Sequence, residues 1–261
     1  MLSAKDIQKI KGIGKITMLT AYDHSFSRLL DNCALDMLLV GDSLANVVLG
    51  MKETRKVSAR EMLNHTAAVA GACQNTLVVA DMPYLSYQKN PAKCLDYARR
   101  FIKAGAGAVK IEWFAKAEQV VKKIIKGGIP VMGHIGLTPQ TAHLLGGYKV
   151  QGKDVESARR LVEQAKILEG LGCFSLVLEC VPAGLAKEIT AKVKIPTIGI
   201  GAGSDCDGQV LVLYDMLGLY TAKKMKFARQ YADLAAIVQS AAQKFKADVS
   251  AGRFPSAEES F

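Results

Sequence analysis

AVKIEWFAKAEQVVKKIIKGGIPVMGH, residues 108–134, holds one complete repeat of the fold. Its first five residues are apolar except for Lys110 and Glu112, and the run is too short for a stable helix. Residues 115–126 then place apolar side chains at helical spacing, with lysines on the opposite face. Gly127-Gly128 stops that helix, and Ile129-Pro130 opens a second apolar run through Gly133. Strand, helix, strand in this order is the signature of a parallel sheet with crossover helices.

The same alternation continues in both directions. Further apolar, β-branched runs lie at 16–20, 36–41, 76–81, 174–179, 195–200 and 209–213. Most have apolar residues side by side, as strands covered on both faces do. Helices are expected at 23–32, 59–72, 91–104, 155–170, 183–193 and 226–246, with Asn90 and Asp154 as caps of two of them. Eight strands alternating with helices over 261 residues fit the α/β class and a (β/α)8 TIM barrel. The chain is read as a single domain over 1–261 with a short closing tail at about 250–261. A dinucleotide-binding fold would carry its glycine fingerprint after the first strand, whereas Gly12-Ile13-Gly14 precedes it.

Half of the residues are hydrophobic and the formal net charge is +10. Basic residues such as Lys116, Lys122, Lys123, Lys126, Arg159 and Arg160 are spread along expected helices, and no nucleic-acid motif is present. They read as solvated helix faces, so nucleic acid is not an expected partner. No apolar run approaches the ~20 residues of a membrane span. The opening MLSAKDIQKIKGIGKITML lacks the continuous apolar core of a secretory signal, so a cytoplasmic protein is expected. Cys33, Cys73, Cys94, Cys173, Cys180 and Cys206 are scattered without a CxxC pair and read as reduced, mostly buried thiols.

Function is carried by what ends the strands. Asp42-Ser43, Asp81, Lys110 with Glu112, His134 and Glu179 all fall at C-terminal strand ends, which in a barrel is the mouth where catalytic groups collect. One such Asp is an ordinary turn former; five successive strands delivering ionisable groups to one end point to a site. Three carboxylates there would repel one another and pay for desolvation, and a divalent cation resolves both problems. Asp42, Asp81 and Glu112 offer hard oxygen donors, which suit Mg²⁺ or Mn²⁺ in its place. Lys110 lies two residues before Glu112 and points the same way, either neutralising a substrate oxyanion or closing a salt bridge within the barrel. His134 reads as a hydrogen-bonding group or a fourth ligand. Glu179 ends a strongly apolar strand, and partial desolvation suits it to pull a proton from carbon; a fourth acidic ligand is the other reading. The glycine segment 199–203 is either a phosphate cradle or a tight turn.

Six segments resemble one family: GDSLANVVLG (41–50), VVADMPYLSY (78–87), AVKIE (108–112), GHIGLTPQTAHLLGGYKVQGK (133–153), LVLECVPAGLAKEIT (176–190) and IPTIGIGAGSDCDGQVLVLYDMLGL (195–219). They are similar to the ketopantoate hydroxymethyltransferases. That resemblance implies a cytoplasmic (β/α)8 barrel assembled as a homo-oligomer, commonly a decamer of two pentamers. The implied reaction transfers a hydroxymethyl group from 5,10-methylenetetrahydrofolate to 3-methyl-2-oxobutanoate on the way to pantothenate and coenzyme A. It also implies Mg²⁺ on Asp42 and Asp81, with Glu112 bound directly or through water, and Glu179 as base. Asp42, Ser43, Asp81, Lys110 and His134 make up the expected substrate-binding set. The chain departs from the family pattern at Trp113 and Phe114, where small residues are usual, at Ala45-Asn46 and at Pro83-Tyr84-Leu85. The competing readings are a metal-dependent α-keto-acid lyase or phosphonomutase that uses no folate, and a non-catalytic anion-binding barrel.

Overall fold

A computed structural model describes residues 1–219 and 225–261. Eight parallel strands close into a barrel in sequence order, β1 pairing with β8. They are β1 (Ile16–Thr20), β2 (Met37–Val40), β3 (Leu77–Asp81), β4 (Ala108–Glu112), β5 (Val131–Gly136), β6 (Ser175–Glu179), β7 (Thr197–Ile200) and β8 (Gly208–Leu211). The crossover helices are α2 (His24–Asp31), α4 (Ala59–Ala70), α6 (Cys94–Lys103), α7 (Ala117–Lys126), α8 (Val155–Gly170) and α9 (Ala183–Lys192). Short helices α3 (Leu44–Val47) and α5 (Tyr84–Tyr87) follow β2 and β3.

Each strand reports its pleat through what it buries. Met37 and Leu39, Leu77 and Val79, Ala108, Met132, Val177 and Ile198 meet in one apolar cluster inside the barrel. Residues two further along the same strands, Asp81, Lys110 and His134, therefore point into the same interior, nearer the C-terminal mouth. The opposite end is sealed by α1 (Ala4–Ile10), which a Ser3–Asp6 capping box starts and which inserts Ala4 and Ile7 into the cluster. The sequence reading did not anticipate this plug, because its apolar residues are few and its length is short.

Most expected boundaries hold to within two residues. Strand β5 begins at Val131 instead of Ile129, because Pro130 has no N–H to give a ladder. Asp154 caps α8 by accepting from the Ser157 backbone N–H at 2.9 Å, whereas Asn90 makes no side-chain cap.

Residues Met1–Val212 form one compact unit with all eight strands, and Leu213–Phe261 form a second. The second unit contains α10 (Leu213–Met216) and α11 (Leu234–Ser250), and the stretch read as a closing tail lies within it. The helix expected at 226–246 starts only at Leu234, where the Asp233 side chain accepts from the Ala236 N–H at 3.2 Å. Five cysteines are buried, Cys33 is exposed, and all six are free. Among the described residues no helix is long and apolar enough to cross a membrane.

Closure depends on Gly208. A Cβ there would meet the Ile16 carbonyl oxygen and lie 2.7 Å from Ile16 Cβ, so β1 and β8 can pair only over a bare backbone. Gly208→Ala should cost about 1–3 kcal/mol, the usual range for overpacking, read as a lower denaturation midpoint in urea.

Candidate active site

The polar residues at the mouth are buried nearly completely. Asp42, Asp81, Lys110, Glu112 and His134 are each at most 5 % exposed. The strand register brings them together: Asp81 pairs with Lys110 across β3–β4, Glu112 with His134 across β4–β5, and Gly136 with Glu179 across β5–β6.

Lys110 Nζ lies 2.9 Å from Asp81 Oδ1 and 3.2 Å from His134 Nδ1. Burial opposes the ammonium's charge, but Asp81, Glu112 and Asp42 outweigh burial and hold it protonated. Three carboxylates face this one cation. Burial, then repulsion from Asp81 and Glu112, pushes the Asp42 pKa up to about 8. The cluster carries more acid than its own cation can neutralise.

His134 stands between opposite demands. Burial and the Lys110 ammonium oppose a proton on the ring, while Glu112 and Glu179 favour one. Their balance raises the ring pKa to about 9, whereas the 3.2 Å contact to the Lys110 ammonium asks for a lone pair on Nδ1 and a proton on Nε2; the direct contact is the tighter constraint and favours the neutral ring. Nε2 is 3.2 Å from Glu179 Oε2 but off the line of a good hydrogen bond. Glu179 is the open member of the group, its side chain 17 % exposed. Its backbone carbonyl accepts from the Leu137 N–H at 2.8 Å. Gly136, at φ +93°, lets that carbonyl come close, for a Cβ there would strike it.

N–H groups engage one oxygen of each carboxylate, and Lys110 takes the other oxygen of Asp81. Asp81 Oδ2 accepts from the Asp42 backbone N–H at 2.9 Å. Asp42 Oδ2 accepts from Gln140 Nε2 at 2.9 Å, and Glu112 Oε2 from the Gln140 backbone N–H at 3.0 Å. Glu112 Oε1 is buried with no hydrogen-bond partner. Such an orphaned anionic oxygen in an oxygen-rich cluster fits a hard divalent cation. Among the described residues no three His, Cys, Asp or Glu side chains close into a ready-made metal cage. Mg²⁺ needs none, because it commonly keeps several waters and takes one or two carboxylates.

All the expected site residues thus lie at one mouth. Ser43, next to Asp42, exchanges a 2.9 Å hydrogen bond with the Tyr22 hydroxyl. The glycine segment forms a turn into β8, with Gly201 and Gly203 at positive φ and Gln209 Nε2 donating to Gly203 O at 2.8 Å. Gln140 and Tyr87 are participants the sequence reading missed. Neither ionises near neutrality, so a search for charged strand ends passes over both; Gln140 does lie in the HIGLTPQ block.

In the metal-free protein, folding should hold a proton on Asp42 between about pH 4 and pH 8 that the unfolded chain has released. Stability then falls as pH rises through that window. Thermal unfolding in EDTA should show the fall, Asp42→Asn should flatten it, and Mg²⁺ should stabilise more at pH 8.5 than at pH 6. An unchanged slope in Asp42→Asn would mean that Asp42 ionises freely.

Comparison with known proteins supplies an independent line. The profile of the ketopantoate hydroxymethyltransferase family matches residues 1–257. A 3-methyl-2-oxobutanoate hydroxymethyltransferase from Pyrobaculum calidifontis is 51% identical over 248 residues, covering 95% of this chain and 93% of that one. One from Syntrophomonas wolfei is 49% identical over 258 residues, covering 98% and 93%. Among solved structures, phosphoenolpyruvate phosphomutase from Streptomyces platensis superposes with a TM-score of 0.64 at 14% identity, covering 97% of this chain and 89% of that one. At that identity the likeness shows the fold alone.

Proposed function

The chain belongs to the ketopantoate hydroxymethyltransferase family, and from that premise we propose that its barrel mouth transfers a hydroxymethyl group from 5,10-methylenetetrahydrofolate to 3-methyl-2-oxobutanoate, giving 2-dehydropantoate in the cytoplasm. The observation that carries the reading is the buried cluster of Asp42, Asp81 and Glu112 around Lys110, with Glu179 separated from it by His134.

Asp42 and Asp81 would hold Mg²⁺, or Mn²⁺ in its place, with Glu112 a ligand directly or through water. When bound, the cation supplies Lewis acidity that favours the enolate over the ketone. The chain's own groups do the rest. Glu179, partly exposed and the only acid of the group outside the metal cluster, takes the C3 proton. Lys110, held charged in a dry pocket, faces the negative charge that develops on the keto acid. His134 Nε2 stands 3.2 Å from Glu179 Oε2 and would limit how the base can turn. Ser43 and Asp81 would complete the contacts to the keto acid.

The one-carbon donor is a large aromatic molecule, and a cavity of about 460 Å³ adjoins the ends of β4 and β5. Tyr84, Trp113, Phe114 and Leu144 line it, a surface on which a heteroaromatic ring can stack. A lyase or phosphonomutase reading has the fold in its favour, but relatives near half identity carry the transferase name. Helix α11 leaves Ile237, Val238, Phe245 and Val249 exposed, which supports a homo-oligomer; that it is a decamer of two pentamers is what the family resemblance implies.

Proton NMR of 3-methyl-2-oxobutanoate in D₂O with protein and Mg²⁺ should show loss of the C3 signal, stopped by EDTA. Glu179→Gln should slow that exchange by roughly 10²–10⁴-fold; exchange at the wild-type rate would remove the base assignment. Trp113→Ala should raise the KM for methylenetetrahydrofolate by about 2–10-fold, the range of an aromatic pair, while leaving C3 exchange unchanged. An unaltered KM would place the folate ring elsewhere.

A further inference from the structure

Gln140 is only 1 % exposed, yet every polar valence of its side chain is used. Nε2 donates to Asp42 Oδ2 at 2.9 Å and to the Met82 carbonyl at 3.0 Å. Oε1 accepts from the Tyr87 hydroxyl at 2.7 Å and from Gln88 Nε2 at 3.3 Å. Its backbone N–H donates to Glu112 Oε2 at 3.0 Å. These partners fix which way the amide faces. A flipped side chain would set its oxygen against a carboxylate and a carbonyl, and its NH₂ against a hydroxyl that has a proton to give. Tyr87 is itself held in place, because its oxygen accepts from the Glu112 backbone N–H at 3.3 Å and its ring packs edge-on to Phe114 at 5.3 Å.

We propose that Gln140 is a positioning residue: its amide and its backbone N–H each bind one oxygen of Asp42 and Glu112, leaving the other oxygen of each free for a divalent cation. The inference rests on the metal-dependent reading of this mouth. It goes further by naming what orients the carboxylates. A lysine or arginine in this place would also orient them, but it would cancel their charge and compete with the cation. A neutral donor orients without neutralising. Tyr87 is the lock, since its proton holds the amide in the sense that turns its NH₂ toward Asp42 Oδ2 and the Met82 carbonyl.

The test is calorimetric titration of Mn²⁺ into full-length protein stripped with EDTA, alongside thermal unfolding in EDTA. Gln140→Ala should weaken the Mn²⁺ Kd by about 10–100-fold, as loss of a partner behind a metal ligand does, without lowering the unfolding midpoint in proportion. Gln140→Glu, equal in size but acidic where Asp42 needs a donor, should bind no better than Gln140→Ala. A merely structural glutamine would do the reverse, lowering the midpoint and leaving the Kd of the folded protein unchanged, and that result overturns the proposal. Should Gln140→Ala fail to fold, Tyr87→Phe decides: it keeps the glutamine and removes the lock. Weakening of about threefold or more supports the proposal, and a wild-type Kd overturns it. Wild-type protein that takes up no Mn²⁺ defeats the metal-dependent reading itself, and this inference with it.

Discussion

Three carboxylates and one ammonium share a volume from which water is nearly excluded, and the rest of the mouth is arranged around that imbalance. Charges at such distances in a poorly hydrated interior interact far more strongly than at a surface. One cation among three acids leaves a surplus of negative charge, which adds to burial in raising the proton affinity of Asp42. A proton and a divalent cation are alternative ways to discharge that surplus. The fold has to hold the acids in place whichever of the two is present.

The barrel meets this by dividing its interior into layers. The lower layers are aliphatic and sealed by α1, so the apolar packing inside the closed sheet lies apart from the polar residues above. The upper layer belongs to the site, and the alternation of side chains along each strand makes the change from one to the other abrupt. Ala108 belongs to the aliphatic cluster, and Lys110 and Glu112 on the same face belong to the acid cluster. Loops after β2 and β5 then supply hydrogen-bond donors that are backbone or amide N–H groups. These satisfy one oxygen of each carboxylate without changing the total charge.

Much of this was legible in the sequence, and the reasons are local. Parallel strands covered on both faces leave runs such as LVVAD and AVKIE that no amphipathic helix imitates. Glycine pairs and acidic caps mark the ends of helices. The site was legible for the same reason: an ionisable residue at the end of a buried strand has few structural uses, and five in succession have fewer. What escaped were residues whose role exists only in three dimensions. Gln140 and Asp42 are far apart in sequence and meet because the loop after β5 folds over the mouth. Tyr87 looks like one more aromatic until its hydroxyl is seen between two polar groups. The late start of α11 goes with a cap in which the Asp233 side chain accepts from the Ala236 N–H, a local bond that apolar spacing does not reveal.

The barrel by itself does not select the chemistry. A phosphomutase shares its path closely at 14% identity, so strand order and closure are compatible with more than one reaction. What this chain adds lies in the connections. The loop after β4 brings Trp113 and Phe114 to a cavity beside the mouth, and the loop after β5 brings Gln140 between two acids. Phe114 packs edge-on against Tyr87, whose hydroxyl bonds Gln140. The aromatic wall and the acid cluster are therefore mechanically continuous through three side chains. The residues that line the cavity and the residue that holds Asp42 and Glu112 are thus fixed by one set of contacts.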